Sequence, residues 1–157
     1  MKTTKRFENA INKLYIAFNE NTLNPECCKQ CAVGNILDQK DAWKHLSDDH
    51  GSLKLNYLGL VHQNLGRTFN GYSPLELLKI EAAFLRGCGY ELPLHHKNKR
   101  PHDLTNKNTL FNGLNEAIKV LCIFDNIEDV TNYSNLFKAL ITKKRELKPI
   151  NFELEKV

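Results

Sequence analysis

The sequence predicts an all-α protein, one compact bundle of about five or six helices, and three observations carry that expectation. Apolar residues recur at the i, i+3, i+4, i+7 spacing of a helical face through most of the chain. One stretch, Ser73-Pro74-Leu75-Glu76, is a capping box with proline at the first helical position. The 157 residues are 41% hydrophobic and 25% charged, which is the composition of a globular domain long enough to form a core without disulfide staples.

Taken in order, Phe7, Ile11, Leu14, Tyr15 and Phe18 fall on one face with Glu8, Asn12, Lys13 and Asn19 between them, predicting an amphipathic first helix. Asparagines and Pro25 end it between Asn19 and Asn24. A second helix begins at Cys31 and runs through Ala32, Asn35 and Ile36; Gly34 costs it about 1 kcal/mol unless something packs closely there. Ala42, Trp43 and Leu46 mark a short helix closing at Ser47 to Gly51, with Trp43, the only tryptophan, as a core anchor. Residues 53–61 alternate and then run apolar, so they read as irregular or helical, with a strand-like segment as the alternative.

Asn70-Gly71 is a turn signal, and the Ser73 box then opens a helix carrying Leu77, Leu78, Ile80, Ala82, Phe84 and Leu85. It is apolar on almost every face and ends at Gly87-Cys88-Gly89, so it should be the most buried helix, with Glu81 as its anomaly. A polar, basic loop follows between Pro93 and Pro101. Leu110, Phe111, Leu114, Ala117, Ile118, Leu121 and Phe124 then predict the longest helix, and Leu136, Phe137, Leu140 and Ile141 a final one running into Lys143-Lys144-Arg145. Residues 1–5 and 149–157 are expected to be loosely ordered ends of a single domain.

Charge and motif content exclude more than they indicate. The net charge of +4 and pI near 8.8 aid solubility without naming a partner. The loop bearing Lys97, Lys99 and Arg100 among His95, His96 and His102 has the charge to hold phosphate or a nucleic-acid backbone, but no recognition motif accompanies it, and a solvated loop is the plainer reading. No apolar signal segment follows the basic start, and no window approaches the roughly 18 apolar residues of a membrane span, so a cytoplasmic protein without a membrane partner is expected. Gly-x-Gly-x-x-Gly, the phosphate-binding loop, His-Glu-x-x-His and Gly-x-Ser-x-Gly are all absent.

The densest chemistry lies in Glu26-Cys27-Cys28-Lys29-Gln30-Cys31. Five cysteines is an odd number, and adjacent Cys27 and Cys28 would form a strained ring if bridged, so free thiols or metal ligands are expected. Cys28 and Cys31 have the Cys-x-x-Cys spacing of a zinc or iron chelate, and Cys88 and His95 are the candidates to complete four ligands. Set against this, small apolar thiols often do no more than line a helix contact. Cys31, at a helix start, is also a candidate nucleophile, with His45, His50 and His62 as available bases. For Glu81 and Glu116, surface exposure or one satisfied hydrogen bond is the ordinary reading.

Cys31-Ala32-Val33-Gly34-Asn35, Trp43, the stretch from Tyr72 to Glu81 and the Leu110 to Phe124 helix together resemble a group of small uncharacterised helical proteins of bacteria and their phages. The likeness spans about residues 25–125, and it implies a bacterial helical protein without implying an activity. Some similar sequences are named for the flavin- and iron–sulfur-containing component of sodium-translocating NADH:quinone reductase. The cysteine spacing here does not match the plant-type [2Fe–2S] pattern. The expectation is a non-enzymatic binding or interaction module with no catalytic residue and no cofactor. The alternative is a metal-binding or thiol-dependent protein that uses the Cys27–Cys31 cluster, with zinc as the cofactor.

Overall fold

Ser73 opens the helix around which the others pack. Its hydroxyl accepts from Glu76 N–H at 3.2 Å while the Glu76 carboxylate accepts from Ser73 N–H at 3.0 Å, the reciprocal pair that the sequence encodes. In the computed structural model, which describes residues 4–92, 97–101, 103 and 106–127, the chain forms five α-helices: α1 (Lys5–Asn19), α2 (Ala32–Ile36), α3 (Tyr57–Asn64), α4 (Pro74–Cys88) and α5 (Lys107–Phe124), with a 3₁₀ turn at Trp43–His45. The described residues belong to one compact unit, Met1–Ile127, and contain no strand. None of their helices is long and apolar enough to cross a membrane. The final helix expected around Leu136 and the expected loose tail lie outside the described residues.

The all-α expectation holds, and its detail changes in two places. Residues 53–56 are irregular and 57–64 are helical, so the strand-like alternative is corrected: Asn56 caps the helix through Oδ1, which accepts Gly59 N–H at 2.7 Å. The short helix around Trp43 is a single 3₁₀ turn. Asn70 and Gly71 turn with positive φ (53° and 93°), and Gly89 ends α4 in the left-handed conformation at φ 102°.

The core is the seam between α4 and α5, the most extensive helix pair. Leu77, Leu78, Ile80, Phe84 and Leu85 of α4 and Leu114 and Leu121 of α5 are completely buried, each such side chain contributing roughly 1.5–3 kcal/mol. The helices approach closely because glycine faces glycine: a Cβ on Gly87 would stand 2.8 Å from Gly113 Cα. Helices α1 and α2 close one side, and α3 leans on α4 and on the 3₁₀ turn. Glu81 sits in the middle of α4, completely buried, and faces the cysteine loop.

Candidate metal centre

Residues 24–31 are shaped by short-range backbone hydrogen bonds. Asn24 N–H donates to Gln30 O at 2.7 Å, and the Gln30 and Cys31 N–H groups donate to Cys27 O at 3.1 and 2.9 Å, giving consecutive tight turns. Buried Asn35 fixes this loop to α2, its Nδ2 reaching Gln30 O at 2.8 Å and Cys31 O at 3.1 Å. The glycine at 34 is what allows the loop to lie so near: a Cβ there would stand 2.5 Å from the Lys29 carbonyl. Tyr90 and Arg100 hold the loop from the other side by binding Glu26, at 3.0 and 3.2 Å.

Three polar side chains converge behind the loop. Glu81 Oε1 accepts Val33 N–H at 3.0 Å, and its Oε2 lies 2.8 Å from His50 Nε2. The His50 ring packs on Trp43, with centroids 4.8 Å apart, and its Nδ1 stands 4.0 Å from Cys28 Sγ. Cys31 caps α2 as the sequence predicts, its sulfur accepting Gly34 N–H at 3.3 Å. One ligand atom each from Cys31, His50 and Glu81 lie within 4.8 Å of one another, a grouping able to hold a metal ion.

The electrostatics follow from burial. Cys31 is completely enclosed, so its thiol is pushed well above its ordinary pKa, first by desolvation and then by the Glu81 charge; the Gly34 N–H and Trp43 act in the opposite direction. The indole Nε1 of Trp43 is buried with no hydrogen-bond acceptor of standard geometry among the described residues. Cys28, only partly buried, is raised by desolvation and then by Asp41, Cys27 and Glu81. A carboxylate as deep as Glu81 needs both its partners, and it has them.

The residues singled out in the sequence divide accordingly. Cys31 is in the group and Cys28 lies beside His50. Cys88, expected to join them, packs against Gly113 at the α4–α5 seam, its pKa pushed up to about 12 by burial; His95 lies outside the described residues. Cys31 as nucleophile loses its basis, since a completely buried neutral thiol offers a substrate no approach. Glu81, for which exposure or one hydrogen bond was the ordinary reading, is buried with two partners, whereas Glu116 pairs on the surface with Lys119 at 3.1 Å. Among the basic-loop residues, Arg100 is committed to Glu26.

His50 is the residue that sequence reasoning placed least well, as one of three available bases. Its only signal was its position just after the predicted Trp43 helix, and nothing in the spacing of 31, 50 and 81 announces that they meet. A cleft of about 350 Å³ lies elsewhere, lined by Arg6, Lys13, Asp38 and Asn70. These side chains are already bound to protein partners: Lys13 to Asp38 at 2.7 Å, Asn70 to Ile36 O at 2.7 Å and Arg6 to Asp125 at 2.6 Å. No family model, curated protein or solved structure matches the chain.

Proposed function

We propose that the protein is a metal-binding protein, that its centre lies where Cys31, His50 and Glu81 converge, and that its cation is of the zinc class. The observation that carries this reading is the convergence of a thiol, an imidazole and a carboxylate from three separate stretches within 4.8 Å. Sulfur and nitrogen donors select a borderline-soft cation over magnesium or calcium, which take oxygen ligands. Burial supports the same choice, because a bound dication would offset the desolvation that keeps the enclosed Cys31 thiol protonated.

The expectation of an interaction module has one supporting observation. Leu53, Tyr57, Leu58, Leu60 and Leu65 are exposed apolar side chains on or beside α3, with Tyr57 83% exposed. No feature of that face names the chemistry of a partner, so the metal reading is the better supported.

Reduced protein stripped with a chelator and dialysed against zinc should retain one equivalent, measured by elemental analysis, and a His50→Ala variant should retain none. Wild-type protein that retains no zinc while remaining folded overturns the reading.

A further inference from the structure

The geometry points to Cys28 Sγ, Cys31 Sγ and His50 Nδ1 as the atoms that touch the cation, with Glu81 acting as the positioning residue behind His50 rather than as a ligand. This assignment rests on the metal reading above and divides the work among its residues. It adds a cysteine that is not in the buried group and withdraws a carboxylate that is.

The two nitrogens of His50 decide the matter, because they face different partners at different distances. On the Nε2 side, the Glu81 oxygen is 2.8 Å away. Two ligands on one tetrahedral zinc, with bonds of about 2.0–2.1 Å, would stand about 3.4 Å apart, so 2.8 Å is a hydrogen bond with no room for a cation between the atoms. On the Nδ1 side, the Cys28 sulfur is 4.0 Å away. A sulfur bonded at about 2.3 Å and a nitrogen at about 2.0 Å span about 3.5 Å across a tetrahedral ion, so this separation needs only about half an ångström of closure.

The two ring nitrogens lie on opposite edges of the imidazole, so with Nε2 engaged by the Glu81 carboxylate, Nδ1 is the nitrogen that faces Cys28. A metal-bound histidine whose second nitrogen donates to a carboxylate is the arrangement that fixes ring orientation and raises ligand basicity. Glu81 is itself held by Val33 N–H at 3.0 Å, in the first turn of the helix that Cys31 caps, so the carboxylate ties the imidazole and the second thiol to one frame.

The Cys-x-x-Cys spacing supplies the rest. Cys31 Sγ contacts Cys28 O at 3.7 Å, and the turns between them keep the two residues adjacent. Cys31 is completely enclosed whereas Cys28 is partly exposed, so Cys28 stands on the solvent side and gives the cation its way in. Cys27, its neighbour in the chain, has no contact with His50 among the described residues and takes no part in the assignment.

Cobalt(II) tests this directly, because it occupies zinc sites and the intensity of its near-ultraviolet sulfur charge-transfer band scales with the number of bound thiolates. The wild-type protein should show a two-thiolate tetrahedral spectrum. Cys28→Ser, a near-isosteric change at a partly exposed position, should halve the charge-transfer intensity, and Cys27→Ser should leave it unchanged. Glu81→Gln should keep both thiolates on the metal while weakening cobalt binding about 10–100-fold. An unchanged spectrum in Cys28→Ser, or the loss of all cobalt from a Glu81→Gln protein with wild-type circular dichroism, overturns the assignment and leaves the metal reading standing. A wild-type protein that takes up no cobalt sinks both.

Discussion

Glu81 shows what one side chain does in this molecule. Its carboxylate accepts from Val33 N–H and from His50, so three separate stretches meet on two oxygens inside the core. Glu81→Ala leaves a buried N–H and an imidazole without partners, and roughly 3 kcal/mol of stability should be lost in urea unfolding of the metal-free protein. The thiols divide by enclosure: Cys27 and Cys28 are partly buried, and Cys31, Cys88 and Cys122 are buried. Ellman's reagent should therefore modify two of the five thiols quickly in the metal-free protein and the other three only after unfolding. Rapid modification of Cys31 in the folded state would contradict its enclosure. At this scale the sequence was half legible. An acid in the middle of a helix apolar on almost every face advertised Glu81, and Cys31 was visible at a helix entry. The pairing of Glu81 with His50 was not visible, because a 31-residue separation carries no periodicity.

Helices were far more legible than contacts, because capping and hydrophobic spacing act within a few residues. The Ser73 box, the stripe from Leu110 to Phe124 and the first amphipathic run all appear as helices. Residues 53–61 were ambiguous, since alternation and a continuous apolar run are compatible with more than one backbone; the Asn56 cap on Gly59 N–H decided it. Gly34 and Gly87 reverse the usual rule for glycine in a helix. Alanine at an open helical position is better by about 1 kcal/mol. Here a Cβ at 34 would meet the Lys29 carbonyl at 2.5 Å, and one at 87 would meet Asn112 O at 2.8 Å, both on backbone that cannot swing aside. Gly34→Ala and Gly87→Ala should each lower stability by about 2 kcal/mol in thermal or urea unfolding. Gly34→Ala should also weaken zinc binding, since the loop it pushes carries Cys28, whereas Gly87→Ala should leave the affinity unchanged.

Across the whole molecule, closure depends on groups that no local pattern identifies. Arg6, at the start of α1, pairs with Asp125 beyond the end of α5 at 2.6 Å, with Glu76 in the first turn of α4 at 3.1 Å, and lies 4.5 Å from the centre of the Tyr72 ring. Tyr72 is completely buried and its hydroxyl pKa is raised, first by desolvation. Cys31 behind the loop and Cys88 at the α4–α5 seam are raised in the same way, so the proton-retaining groups are spread over the fold. This distribution sets the pH response of stability. Below pH about 7.5 these groups are protonated in both folded and unfolded chains and contribute almost no slope. As pH rises further, the unfolded chain releases its protons first while the folded chain keeps them, so stability falls with pH. For Cys88 the loss should run from the ordinary thiol value of 9.0 to about 12, at about 1.4 kcal/mol for each pH unit. Urea midpoints of metal-free protein between pH about 8 and 11 should fall, and Cys88→Ala should start from a lower midpoint because of the cavity but fall less steeply. Equal slopes in the two proteins would mean that the Cys88 thiol ionises in the folded state as readily as in the unfolded chain.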